Sequence, residues 1–281
     1  MIRVLVPVDF SAHSFNALSY AHMLFQEVDV AFTLLNAYEA SAIQLVGNKS
    51  PLRLSGIYKN MKAQSLKKLE TLKKEIEGRN EVTQHSYNVK AYEGHLKEAV
   101  DAFTKDDFDY IIMGSKGASG LKEIFVGSVT QSIVSLHQDI PLLIIPGKAQ
   151  FRVPDNIGFG TDFSRDYDKD ELQPLIKLIN LWKSRLRMVE VYEVPTLNPT
   201  QKKHLKQLES LLLEIEYSFH VIPEFSSLEN CINVFNEELN IDLMVLIDYP
   251  KNFFERIMRE PLIKKMTFHT TLPFLILSGT N

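Results

Sequence analysis

Short apolar runs alternate along the chain with longer stretches in which apolar residues recur every three to four positions. Val4-Leu5-Val6-Pro7-Val8 is a continuous apolar run, the pattern of a central parallel strand covered on both faces. Ser11 offers an N-cap for the next segment, in which Phe15, Leu18, Ala21 and Phe25 repeat at helical spacing. Phe32 to Ala37 reads as the second strand, and residues 41–57 read as a polar, irregular connection. Tyr58 to Glu77 is rich in lysine and glutamate with Leu66, Leu69, Leu72 and Ile76 on one side, so an amphipathic helix is expected. His85 to Ala91 is a more polar strand suited to a sheet edge, and Leu96 to Phe103 is a helix. Tyr110 to Met113 and Leu142 to Ile145 are the last two strands, with a helix from Ser128 to His137 between them. The order β-α-β-α-β-α-β-α-β predicts a doubly wound α/β unit with a parallel sheet.

The pattern then returns. Pro7-Val8-Asp9-Phe10-Ser11 reappears as Gly160-Thr161-Asp162-Phe163-Ser164, and Ala37-Tyr38-Glu39 as Val191-Tyr192-Glu193. Asp109-Tyr-Ile-Ile-Met reappears as Asp242-Leu-Met-Val-Leu, and His137-Gln-Asp-Ile-Pro141 as His269-Thr-Thr-Leu-Pro273. The second copy is shorter between its second and fourth strands, which fits the loss of much of the 41–57 connection. Two tandem domains are expected, 1–148 and 149–281, joined by the short linker Gly147–Pro154. A short linker favours a compact pair.

Composition narrows the function classes. The 281 residues carry a net charge of −4, with 45% apolar and 23% charged residues, ordinary for a globular protein. No basic excess exists for phosphate backbones, so no nucleic-acid partner is expected. Cys231 is the only cysteine, which excludes an intrachain disulfide and fits a reducing compartment. The opening Met-Ile-Arg-Val-Leu-Val-Pro enters a strand without the pattern of a signal peptide, and no run of apolar residues is long enough to span a bilayer. A cytoplasmic protein with no membrane partner is the expectation. Cys231 is expected in a helix core, and His137 and His269 at matching helix ends.

The candidate chemistry lies after the fourth strand. Tyr110–Met113 runs into Gly114-Ser-Lys116-Gly117-Ala-Ser-Gly120, and Gly127-Ser128-Val129 opens the next helix. Glycines between a strand and a helix N-terminus let backbone N–H groups close on an anion, and the helix dipole favours negative charge there. Two such clusters suit one polyphosphate.

With those glycines placed, the first half resembles the universal stress protein family. Its ATP-binding branch carries glycine, two residues, glycine, nine residues, then glycine with serine or threonine; here these are Gly114, Gly117, Gly127 and Ser128. Val6-Pro7-Val8-Asp9 with Ser11 two residues on matches the same family. The resemblance implies two five-stranded parallel sheets of order 3-2-1-4-5, related by a pseudo-twofold axis, with ATP, alone or with Mg2+, at the carboxyl ends of strands 1 and 4. Ligands of open α/β sheets also sit where strand order reverses, and Asp9 and Gly114 end two inner strands. The resemblance also implies residue roles. Backbone N–H groups around Gly117, Gly127, Ser128 and Val129 hold phosphates, joined by the Ser128 hydroxyl. Asp9 takes the ribose hydroxyls or a metal, unless it only caps the first helix. Ala37 contacts adenine through its backbone, Pro7 and Met113 pack near base and sugar, and Lys116 balances phosphate charge.

The second half departs from the motif. Its corresponding loop, Ile247 to Pro261, has no glycine, carries Arg259 and Glu260 at the places of Gly127 and Ser128, and contains two prolines that lack N–H donors. One ATP per chain is therefore expected. The leading function is a nucleotide-dependent regulatory or stress-response binding protein without rapid catalysis. A slow ATPase or nucleotidyl-transfer enzyme and a ligand-free interaction scaffold stay open. The two fifth strands, each after a His-x-x-x-Pro turn, are expected to pair within the chain. A homodimer through helices and a protein partner both stay open.

Overall fold

The computed structural model describes residues 1–40, 51–79, 85–103, 108–115, 133, 140–192, 197–223, 228–248 and 271–279. In the first half β1 (Ile2–Pro7), α1 (Ala12–Leu24), β2 (Val30–Tyr38), α2 (Pro51–Arg79), β3 (Ser86–Glu93), α3 (Leu96–Phe103), β4 (Tyr110–Gly114) and β5 (Leu142–Ile145) succeed one another in chain order. The second half contributes β6 (Asn156–Gly160), α4 (Lys169–Trp182), β7 (Arg185–Tyr192), α5 (Pro199–Leu211), β8 (Tyr217–Pro223), α6 (Leu228–Glu238), β9 (Leu243–Asp248) and β10 (Phe274–Ser278).

All of these strands share one sheet, in the order β3-β2-β1-β4-β5-β10-β9-β6-β7-β8. Each half places its own first strand between its second and fourth, and the first half shows the order 3-2-1-4-5. Pairing is parallel within each half. At the centre β5 and β10 run antiparallel, with Leu143 opposite Leu275, Ile144 opposite Phe274 and Leu142 opposite Ile276. All six residues are buried. The pairing removes two apolar edges that would otherwise be open to association. The outer edges, β3 and β8, are the more exposed strands, as the polar character of residues 85–91 implies.

Alternation along each strand sorts the side chains onto two faces. Val4, Val6, Leu34 and Ile112 join one core with Leu18 and Leu24 of α1, Leu69 of α2 and Leu172 and Leu175 of α4. Leu5, Leu35, Ile111 and Met113 join the other with Ala99 and Val100 of α3 and Cys231 and Ile232 of α6. The halves also meet outside the sheet. The Tyr110 hydroxyl donates to the Pro174 carbonyl at 2.9 Å, and the Trp182 indole N–H donates to the Leu24 carbonyl at 3.0 Å. Burial pushes the Tyr110 phenol well above its ordinary range, so it stays a donor.

Three boundaries differ from the periodic reading. Residues 51–57, expected in an irregular connection, begin α2 instead. Pro51 occupies the first helical position, where its missing N–H costs no intrahelical bond. Gly56 lies inside the helix, with nothing within 4 Å of where a Cβ would stand, so both apparent turn signals are accommodated. Strands β2 and β3 each run on beyond their apolar runs because they pair with one another from Ala31·Ser86 to Tyr38·Glu93.

Candidate functional site

The carboxyl ends of β1 and β4 diverge. β1 stays paired with β2 as far as Pro7·Leu35, whereas its pairing with β4 covers only Val4·Tyr110 and Leu5·Ile111. A crevice therefore opens at the point where strand order reverses, the usual ligand position of open α/β sheets.

One lip of the crevice is the turn from β1 into α1. Val8 N–H donates to the Leu35 carbonyl at 2.8 Å. Phe10 adopts a left-handed backbone with φ 63, unfavourable for a bulky residue by about 1 kcal/mol. That reversal brings Ser11 back toward Asp9. Asp9 Oδ1 accepts from the Ser11 N–H at 3.0 Å and from the Ser11 hydroxyl at 2.6 Å. Ser11 in turn caps α1, its Oγ accepting from Ser14 N–H at 3.3 Å. Capping thus falls to Ser11, and Asp9 is an exposed carboxylate oriented by that cap.

A buried polar link fixes the same turn from behind. The Asn36 amide donates to the Val8 carbonyl at 2.7 Å, and the Ser65 hydroxyl of α2 donates to Asn36 Oδ1 at 2.7 Å. Motif reading does not find Asn36 and Ser65. The signal it offers is an asparagine inside the apolar run Leu34-Leu35-Asn36-Ala37, because a buried amide requires partners.

The other predicted site residues fall into three groups. Ala37 and Met113 lie on the α3 face, in or against one apolar cluster with Leu5 and Leu35, and Pro7 alternates with Leu5 along β1. Gly114 belongs to the opposite face. A Cβ there would come within 2.9 Å of the His13 carbonyl oxygen, so its missing side chain is accounted for by the close approach of α1. Gly147, after β5, similarly makes room for the His13 ring. Lys116, Gly117, Gly127, Ser128 and Val129 lie outside the described residues, as do His137 and His269. Ile133, within the expected 128–137 helix, is helical and buried. Cys231 is fully buried in α6, with its thiol 3.7 Å from the Pro223 carbonyl, a core role as expected. Among the described residues no cluster of three His, Cys, Asp or Glu side chains is arranged to hold a metal.

The second half repeats the turn and fills its surroundings. Phe163 again has positive φ, 52, and Ser164 N–H again donates to Asp162 Oδ1, at 2.9 Å. Here Glu190 stands where Asn36 stands in the first half. It is 4% exposed, and burial, reinforced by the charge of Asp162, pushes its carboxyl up to about 7. Gln201 donates to both the Asp162 carbonyl, at 2.8 Å, and Glu190 Oε1, at 3.4 Å. His204 Nδ1 lies 2.8 Å from the Phe163 carbonyl, and the Thr161 and Tyr167 hydroxyls bond to each other. Arg165 pairs with the buried Glu171. The turn is closed over by the chain's own side chains and holds acid where the first half holds a neutral amide.

A ten-stranded sheet, parallel within each half, with strand order reversing between β1 and β4, defines a doubly wound α/β protein. A family model described as the universal stress protein family matches residues 1–146. The chain belongs to the universal stress protein family. Its fold is similar to that of a universal stress protein from Archaeoglobus fulgidus, at 18% identity and a TM-score of 0.69, covering 99% of this chain and 97% of that one. It is also similar to a putative universal stress protein from Pseudomonas aeruginosa, at 11% identity and a TM-score of 0.58, over 98% and 92% of the two chains. The cytoplasmic domain of a prokaryotic cation chloride cotransporter shares the fold at 12% identity and a TM-score of 0.54, over 99% and 95%. No curated protein matches the chain. Among the described residues no helix is long and apolar enough to cross a membrane.

Proposed function

We propose that the first half binds one adenine nucleotide, ATP, and that the nucleotide acts as a regulatory ligand in a stress response, without rapid chemistry. The observation that carries this reading is the complete spacing Gly114, Gly117, Gly127, Ser128, which starts at the last residue of β4, beside a crevice whose other lip carries Asp9. The residues present suit such a ligand. Asp9 is exposed and oriented for ribose hydroxyls or, with magnesium, for the metal. Ala37 and Met113 supply an apolar surface for a base, with Pro7 beside them. Backbone N–H groups at Gly117, Gly127, Ser128 and Val129, with Lys116, would receive the phosphates. Gly114 contributes by letting α1 approach β4.

The second half would carry no nucleotide, since it lacks the glycines and sets Glu190 beside Asp162. No residue is assigned a catalytic role. The single buried cysteine fits a cytoplasmic setting. A ligand that binds only the native state at 100 times its Kd stabilises by about 2.7 kcal/mol. Thermal melting of the full chain should therefore rise by several degrees with millimolar ATP and magnesium. Mass spectrometry of the freshly purified protein should find an adenine nucleotide. No thermal shift with saturating ATP would contradict the reading.

A further inference from the structure

Phe10 and Phe163 share a left-handed backbone at the same point of the repeat, but their rings have different surroundings. Phe163 is fully buried and packs edge-on to Phe219, with ring centroids 5.2 Å apart. In the first half the place of Phe219, opposite Met188, is taken by Val89, opposite Leu34. The smaller side chain leaves room, and Phe10 is half-buried on the wall of an open groove of about 490 Å³. What is packed core in one copy is accessible in the other.

The groove has two unlike walls. Phe10 and Phe15 form the aromatic one, and Phe15 is 38% exposed. Gln64, Lys67, Lys68, Thr71, Leu72 and Glu75 of α2 line the other. From Gln64 to Glu75 this wall runs about 16 Å at 1.5 Å per residue, roughly three helical turns. Between Ser55 and Gly78 the helix carries six lysines and three glutamates, a net +3 in a chain of net −4. Lys73 is paired with Glu77 at 3.8 Å. Among the described residues neither Lys67 nor Lys68 has a carboxylate partner, and Lys68 Nζ sits 5.1 Å from the Phe10 ring centroid. The groove lies on the α1–α2 side of the sheet, the face opposite Ala37 and Met113.

We propose that this groove docks an acidic amphipathic helix of a partner protein. The apolar side of that helix would lie on Phe10 and Phe15, with its carboxylates along Lys67 and Lys68. The length of the α2 wall suits a helical segment more than a compact small molecule, with Lys67 and Lys68 as its cationic part. The sign of α2 selects against basic segments and sets the orientation.

The test uses the full chain and a fluorescein-labelled helical peptide of about sixteen residues, with leucine at the i, i+3, i+4 and i+7 positions and glutamate elsewhere. Saturable binding by anisotropy is expected, weakening as salt rises. The variant Lys67→Glu/Lys68→Glu should lose at least about tenfold in affinity and should prefer a matching peptide with lysine in place of glutamate. Phe15→Ser should weaken binding of the glutamate peptide by a similar factor while the protein keeps a cooperative melting transition, because Phe15 lies on the surface at 38% exposure. No saturable binding overturns the proposal. So does equal binding by the charge-reversed variant, or capture by phosphatidylglycerol vesicles with none by the peptide.

Discussion

Asn36 and Glu190 occupy the same place in the two copies of the repeat. Leu35 pairs with Pro7 and Val189 pairs with Gly160, and each polar residue comes directly after. Asn36 is a neutral amide tied to the Val8 carbonyl and Ser65, and Glu190 is a buried carboxyl tied to Gln201 beside Asp162. The first half holds a neutral amide behind its β1–α1 turn, and the second holds an acid at the same place.

The buried carboxyl makes stability depend on pH. A group whose native pKa is raised binds its proton more tightly when folded. Its ionisation therefore destabilises the native state as pH rises from the ordinary carboxylate range through about 7. Glu190→Gln should match the wild type near pH 4.5 and exceed it at pH 8 by about 1–2 kcal/mol, a few degrees in Tm. Melting curves across that range check it, and a constant difference at every pH would reject the assignment.

The Asn36 link has a different signature. In Asn36→Asp the Val8 carbonyl, 2.7 Å away, would face a second acceptor in place of a donor. A buried group left without its bond costs about 1–3 kcal/mol, and an uncompensated charge costs more. Ser65→Ala removes only the donor to Oδ1 and should cost about 1 kcal/mol. Denaturant titration should therefore rank wild type above Ser65→Ala above Asn36→Asp. Asn36→Asp should also weaken ATP binding more than Ser65→Ala does, because it adds negative charge beside the crevice.

Gly114 and Gly117 should separate. A Cβ at position 114 meets the His13 backbone at 2.9 Å, so Gly114→Ala should destabilise by about 1–3 kcal/mol with or without nucleotide. Gly117→Val should act on nucleotide affinity. Paired measurements of Tm and ATP binding on the two variants distinguish packing from ligand contact, and a Gly114→Ala protein of unchanged Tm would overturn the packing role.

The strand order follows from the family resemblance, and the pairing of β5 with β10 is legible in two short apolar runs, Leu142–Ile145 and Phe274–Leu277, each behind a matching His-x-x-x-Pro turn. The start of α2 is not, because Pro51 and Gly56 read as turn signals in isolation, whereas a first-turn proline and one open glycine are tolerated in a long packed helix. Of the expected site residues, Asp9 lies at the β1–α1 turn and Ala37 and Met113 lie in or against one apolar cluster. Asn36 and Glu190 escape such reading because their importance lies in what is stacked behind them: Ser65 is 29 residues from Asn36, and Gln201 reaches back to both Asp162 and Glu190. Linear patterning carries no trace of such partners. The role of Gly114 is likewise invisible without the position of His13.

The central claim is a single nucleotide site in the first half, and isothermal calorimetry of the full chain with ATP and magnesium tests it most directly. One site per chain is expected, abolished by Gly117→Val with Gly127→Val, weakened at least about tenfold by Asp9→Ala and unchanged by Asp162→Ala. Two equivalent sites, or a titration that survives the double glycine variant, would contradict it.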